Sequence, residues 1–277
     1  MATAATTDWV ALATQAGLHA WPAFLVLLAL AVTGAGVATA WLAPHDGQHD
    51  PLGAAAPRSR YLHTLGGALA AGGVVVLATA VVFATVARLL GDGRTLQRAD
   101  EALSLHVTAE TPTAALAAFR WLTHFGEPLA LVVLGIAVAL ALWAGKRRGL
   151  AVGWIAATAG NAVLNPTLKQ IFARARPLYD ALPSPASGYS FPSGHSSGAM
   201  VTYGMLAYLA WRLLPPRWHV PVSMTAAAII LTTACSRIFL QVHFASDVLA
   251  GLCSGAAWLT ACIASCEYAR HHRRVRR

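Results

Sequence analysis

Between Val220 and Cys266 only Arg237 and Asp247 carry a formal charge, and several other stretches run seventeen or more residues with none. Segments of that length and polarity match the hydrocarbon thickness of a bilayer, which takes about 20 apolar helical residues to cross. Overall, 57% of residues are apolar and 11% charged, so a water-soluble surface could not be assembled from what remains. The chain therefore reads as an all-α, polytopic membrane helix bundle. Candidate spans fall at 20–43, 62–88, 128–144, 150–170, 196–214, 220–240 and 244–266. No Lys or Arg precedes the first apolar run, and that run is long enough to span, so it reads as a true span and not a cleaved leader.

Charge placement orients these spans. Linkers 44–61, 145–149 and 212–219 and the C-terminal tail carry twelve of the twenty Lys and Arg residues. Arg88, Arg94, Arg98, Arg120, Lys169, Arg174, Arg176 and Arg237 fall on the other side. The positive-inside rule makes the first set cytoplasmic and turns the second outward, toward the exterior or periplasm. The net charge of +9 then expresses topology and attraction to anionic headgroups, and no nucleic-acid partner is expected. Three regions follow: an N-terminal span and linker (1–61), a membrane domain (62–266) and a basic cytoplasmic tail (267–277). Within 89–127, Leu96, Ala99, Leu103 and Val107 recur at helical spacing, and Thr111-Pro112 suits a cap and first helical position. One or two helices on the outer surface are predicted there, serving as a connector or as a lid over a headgroup. Residues 46–60 read as a linker. Cys235, Cys253, Cys262 and Cys266 match no zinc spacing and read as packing residues, so no metal or cofactor site is expected.

Three short runs concentrate polar groups that a membrane protein does not place idly. The first is Lys169-Gln-Ile-Phe-Ala-Arg-Ala-Arg176-Pro177. Lys169 and Arg176 stand two helical turns apart at a span's outer end, Pro177 closes the element, and Arg174 reads as an interfacial cation. The second, Phe191-Pro192-Ser193-Gly194-His195, precedes an apolar helical stretch. Free amides and the positive dipole end favour an anion there, with Ser193 as hydroxyl donor, Gly194 permitting close approach and His195 carrying a transferable proton. The plainer alternative is a Ser193 cap beside an interfacial histidine. In the third, Ser236-Arg237 is followed by His243 and Asp247. On a helix, Asp247 can hold one imidazole nitrogen of His243 and leave the other free to attack, while Arg237 offers a planar fork to phosphate oxygens. A buried Arg–Asp pair with a bystander histidine is the alternative.

In order, the runs read Lys-x6-Arg-Pro, Pro-Ser-Gly-His and Ser-Arg-x5-His-x3-Asp, which closely resembles the three-part signature of the type-2 phosphatidic acid phosphatase superfamily. The resemblance covers about residues 62–266, with the motifs in 169–247. It implies a six-span core, to which the span at 20–43 is an addition. It also implies that His243 is the nucleophile, Asp247 its orienting partner and His195 the acid for the departing oxygen. Lys169, Arg176, Ser193, Gly194 and Arg237 would bind phosphate, with no metal required. The implied activity is metal-independent hydrolysis of a lipid phosphate or polyprenyl pyrophosphate through a phosphohistidine, at the outer face of a bacterial inner or plasma membrane. A lipid phosphotransferase using the same site and an anion or lipid transporter are the alternatives; the transporter leaves the His243/Asp247 spacing unexplained.

Overall fold

The computed structural model describes residues 2–42, 58–91, 94–176 and 188–275. Among them are ten α-helices and no strand: α1 (Ala2–Leu18), α2 (Ala20–Leu42), α3 (Arg58–Gly91), α4 (Thr95–Val107), α5 (Thr113–Leu122), α6 (Pro128–Ala144), α7 (Arg148–Phe172), α8 (Gly194–Leu213), α9 (His219–Phe239) and α10 (Ala245–Val275). Every span expected from sequence is a helix. Four segments are long and apolar enough to cross a bilayer: Ala20–Leu42, Leu69–Gly91, Pro216–Phe239 and Ala245–His272, with mean hydropathies of 1.5 to 2.4. A further apolar pair, Thr113–Gly126 and Pro128–Ala144, is bent by 46°. The bend sits at Glu127, whose backbone is extended, with Pro128 opening α6 at a position where its missing N–H costs nothing.

Helix α8 lies at the centre of the bundle, with α7 packed on it, despite the lower hydropathy of both. Trp154, Val201 and Met205 are fully buried between them, with Cys262 of α10 in the same cluster, as the packing reading of the cysteines requires. Asn161, Asn165 and Lys169 on α7 and the Ser/Gly-rich start of α8 are what dilute the apolar signal.

The N-terminal span is joined to this core. Phe24 of α2 stacks into an aromatic cluster with Phe119 of α5 and Phe239 of α9, at ring separations of 4.6 to 5.7 Å. Helix α1, which the Ala/Thr-rich sequence gives no periodicity to reveal, packs along α4, with Gly17 against the carbonyl of Leu103. Helix α4 has the expected apolar spacing. Thr111 differs from expectation: its hydroxyl donates to the Val107 carbonyl and finishes α4, leaving Pro112 one position earlier than predicted, at the N-cap of α5. Helix α10 continues through Val275, so the expected basic tail is helical as far as that residue. Of the expected linker, residues up to 57 lie outside the described residues, as does Pro177.

Candidate active site

Helices α7 to α10 run as an alternating series, so the end of α7, the start of α8, the end of α9 and the start of α10 meet at one end of the bundle. Backbone bonds tie the second motif run to the third there and close the third on itself. Ser193 N–H donates to the Asp247 carbonyl at 2.9 Å, and His243 N–H donates to the Arg237 carbonyl at 3.2 Å. Close packing reinforces them, since a Cβ on Gly251 of α10 would stand 2.5 Å from the Ser193 carbonyl oxygen. Two helix N-termini, those of α8 and α10, therefore face one small volume, and their dipoles favour an anion in it.

His243 sits in the turn between α9 and α10, 2% exposed. Its Nδ1 lies 3.4 Å from Asp247 Oδ2, while Arg176 donates to its Nε2 at 3.1 Å. A guanidinium has only donors, so Nε2 carries the lone pair and Nδ1 the proton, directed at the carboxylate. Asp247 also accepts the Phe244 N–H at 3.0 Å, an acid in the first turn bonding the residue just before its helix. Burial pulls the His243 pKa down from 6.5 to about 4, against the opposing pull of Asp247.

The cations gather around this ring. Lys169 donates to the Tyr189 carbonyl, Arg176 to the carbonyls of Gly188 and Val242, and Arg237 to Thr123 Oγ1 at 2.8 Å. Lys169 feels the charge of both Arg176 and Arg237, and His195 feels all three together with His243. Arg237 Nε is buried with no acceptor among the described residues, a donor that an anion would satisfy. Burial lowers the pKa of Arg176.

Lys169 lies in the last turn of α7 and Arg176 beyond its end, so the two do not stand two helical turns apart along one helix. Helix α7 ends at Phe172, because Ala173 turns into the left-handed region at φ 45°. For a residue with a Cβ this conformation costs about 1–2 kcal/mol. It is offset by a strip of bonds from 174–176 to 188–190: Ser190 N–H to the Arg174 carbonyl, Ser190 Oγ to that of Ala175, and Arg176 Nε to that of Gly188. The turn also overturns the reading of Arg174 as an interfacial cation. Its side chain is 12% exposed and makes ion pairs at 2.7 Å to Asp247 Oδ1 and 2.9 Å to Asp100 Oδ2, with its guanidinium 4.3 Å above the Phe244 ring. Asp100 of α4 is itself buried, and burial raises its pKa while Ser246 and Arg174 pull it back. A sequence signal for Asp100 exists, since it falls four residues after Leu96 and three before Leu103, on the apolar stripe of α4. For Arg174 none does, because nothing in Ala173 announces the turn.

Ser193 occupies the N-cap of α8, accepting from Ser196 N–H at 3.4 Å and from the Ser196 hydroxyl at 2.9 Å. The capping alternative is thus realised, and the Ser193 proton stays available for donation. Gly194 opens the helix against Asn165 of α7, whose Oδ1 would be 3.1 Å from a Cβ there. His195 packs on Gly126, where a Cβ would meet its Cδ2 at 3.0 Å, and its ring bonds no protein group among the described residues. At the far end of α7 and α10 lies a cavity of about 830 Å³ walled partly by Arg147, Arg148, Arg212 and Arg270. It is remote from the motif residues, and the two ends of α7 are about 37 Å apart at 1.5 Å per residue.

A buried histidine–carboxylate pair ringed by cations, at the end of a membrane helix bundle, defines a class of anion-handling membrane protein. Residues 149–270 match the PAP2 superfamily. Phosphatidylglycerophosphatase B of Bacillus subtilis is 29% identical over 162 residues, 58% of this chain and 79% of that protein. Lipid A 1-phosphatase of Rhizobium etli is 32% identical over 172 residues (53% and 69%), and decaprenylphosphoryl-5-phosphoribose phosphatase of Mycobacterium tuberculosis is 30% identical over 148 residues (51% and 75%). The crystal structure of a transmembrane PAP2-type phosphatidylglycerolphosphate phosphatase from Bacillus subtilis superimposes with a TM-score of 0.63 at 26% identity, covering 68% of this chain and 94% of that one. The chain belongs to the PAP2 superfamily, and it is an integral membrane protein.

Proposed function

We propose that this protein is a lipid phosphatase that hydrolyses a lipid phosphate or lipid pyrophosphate through a phosphohistidine on His243. The observation that carries the reading is the His243 ring, with Nδ1 directed at Asp247 and Nε2 turned toward Arg176 within a cluster of three cations. Phosphate binding exchanges the Arg176–Nε2 bond for one between Arg176 and a phosphoryl oxygen, which releases the lone pair. Nε2 then forms a bond to phosphorus as the bond to the lipid oxygen breaks, and the departing oxygen takes a proton from His195. Lys169, Arg176, Arg237, the Ser193 hydroxyl and the Gly194 amide hold the equatorial oxygens, where charge builds in the five-coordinate transition state. Asp247 stabilises the imidazolium formed on attack. Water, giving a proton to His195, next cleaves the phosphorus–nitrogen bond and frees inorganic phosphate.

Membrane-embedded elements around the site suit a substrate whose headgroup lies at the interface and whose tails remain in the bilayer. Relatives named for phosphatidylglycerophosphate, lipid A 1-phosphate and decaprenylphosphoryl-phosphoribose indicate the substrate range. The basic linkers at 145–149 and 212–219 lie at the opposite end of α7 from the site, which orients it outward by the positive-inside rule, in the plasma membrane of a bacterium. The test is purified protein with radiolabelled phosphatidic acid, quenched in alkali because acid hydrolyses phosphohistidine. Label on the wild-type chain and none on His243→Ala, with free phosphate released only by the former, is the expected result. Full turnover by His243→Ala overturns it.

A further inference from the structure

We propose that Asp100 is a positioning residue: through Arg174 it fixes the Asp247 carboxylate beside His243 and makes the seating of α4 a condition of turnover. The inference rests on His243 being the nucleophile.

The contacts form one closed network across three parts of the fold. From the left-handed turn after α7, Arg174 reaches Asp247 Oδ1 (2.7 Å) and Ser246 Oγ (2.7 Å) with one arm and Asp100 Oδ2 (2.9 Å) with the other. Asp100 in turn accepts the Ser246 N–H at 3.2 Å through Oδ1 and the Ser246 hydroxyl through Oδ2. A carboxylate from α4 thus caps α10 from outside, at the helix end that favours negative charge. Two carboxylates share one guanidinium, and both are nearly or fully buried. Such an arrangement is costly to leave half made, so removing one member forces the others to move. Arg174 touches neither His243 nor any group assigned to phosphate. What it does touch is the oxygen of Asp247 that His243 leaves unused, which fixes the rotation of that carboxylate and draws off part of its charge.

Several charged groups bear on His243: Asp247 from α10, Arg176 from the segment after α7, Arg237 from α9, and His195 from α8. Taking away Arg174 leaves the full charge of Asp247 to His243 and stabilises the imidazolium. Taking away the Asp100 charge gives Arg174 wholly to Asp247 and does the reverse. The two halves of one ion pair therefore have opposite effects on the protonation of His243, which a general loss of folded protein would not produce.

The experiment compares wild type, Asp100→Asn, Arg174→Gln, the double variant and His243→Ala, as full-length protein in detergent with phosphatidic acid. The readouts are kcat, KM, inhibition by vanadate and the acid limb of kcat/KM. Asp100→Asn and Arg174→Gln should each lower kcat by about 10–100-fold, the scale of a misplacement of about an ångström. KM and vanadate inhibition, which report the cation cluster, should hold within about twofold. The acid limb should rise by about one pH unit or more in Arg174→Gln and not rise in Asp100→Asn. If Arg174→Gln does not fold, the charge-matched double variant, read against Asp100→Asn, supplies the comparison. Wild-type kcat and acid limb in Asp100→Asn, with His243→Ala inactive, overturn the inference and leave the nucleophile standing. A fall in activity with the limb unmoved in both single variants reduces Asp100 to a structural role and also overturns it. An active His243→Ala removes the mechanism on which it rests.

Discussion

Alanine at Gly251 places a methyl group where α10 crosses the start of α8. Its Cβ would lie 2.5 Å from the Ser193 carbonyl oxygen and 3.0 Å from Ser196 Cβ. Ordinary contact starts near 3.4 Å, so the helices must separate by most of an ångström. The obstructing atom is backbone, and the Ser193 carbonyl is already accepting the Ser197 N–H at 3.1 Å while the Ser193 N–H donates to Asp247 O at 2.9 Å. Overpacking of this kind costs about 1–3 kcal/mol, and straining two backbone hydrogen bonds adds about 1. Against this, alanine is better than glycine inside a helix by roughly 1 kcal/mol. The net loss is about 1–3 kcal/mol, or on the order of 2–10 °C in a melting midpoint. Gly135 of α6 is the matched control: nothing lies within 4 Å of a Cβ there, so Gly135→Ala should gain up to about 1 kcal/mol from propensity alone. Turnover should diverge further than stability, because the wedge opens between His195 and the Asp247–His243 pair. Thermal unfolding in detergent and phosphate release at a temperature where both variants are folded measure the two effects. Gly251→Ala with wild-type midpoint and turnover would refute the claim that close approach of α8 and α10 assembles the site.

Asp247→Asn should retain a small residue of activity while His243→Ala retains none in phosphate-release assays, because orientation is lost in the first and the attacking atom in the second. The acid limb of kcat/KM should fall near pH 4 and not near 6.5, since burial lowers the His243 pKa and the neutral, attacking form then persists down to about pH 4; a limb at 6.5 would place the titrating group elsewhere. Phosphate release should continue in excess EDTA and be inhibited competitively by vanadate, which mimics the five-coordinate geometry; loss in EDTA with recovery on magnesium would contradict catalysis by cationic side chains alone. In a variant lacking its native cysteines, Ala109→Cys, exposed at the motif end, should react with an impermeant thiol reagent on intact cells, and Arg217→Cys, exposed at the other end, only after lysis.

The residues that read cleanly from sequence are those whose chemistry stands out against an apolar background. His243 and Asp247 are legible because Arg237 is the only other residue near them to carry a formal charge between Val220 and Cys266, and a spacing of four joins the two side chains across the turn that opens α10. Helices α2 and α3 are legible for the same reason, from length and hydropathy alone. What does not read is whatever depends on a local backbone event. A helix continued through Arg176 would direct Arg174 away from Lys169 and Arg176; one left-handed alanine redirects it into the interior. The α7 and α8 spans look weaker in hydropathy than α2 because they bury polar groups against one another, as Asn165 does against Gly194 and Pro192.

Placing a phosphate-handling site at the end of a bundle, and not at its middle, resolves an electrostatic conflict. Lys169, Arg174, Arg176 and Arg237 would repel one another in a low-dielectric interior, and two carboxylates offset only part of their charge. At the helix ends, the backbone carbonyls of Gly188, Tyr189 and Val242 take up their donors, and the carboxylates of Asp100 and Asp247 meet the N-terminus of α10, while the N-terminus of α8 leaves a surplus positive field. On the proposed function, that surplus is what an incoming phosphate dianion completes. On the mechanism proposed above, Arg176 holds Nε2 of His243 until that anion arrives, so the lone pair is exposed only when there is a phosphorus for it to attack.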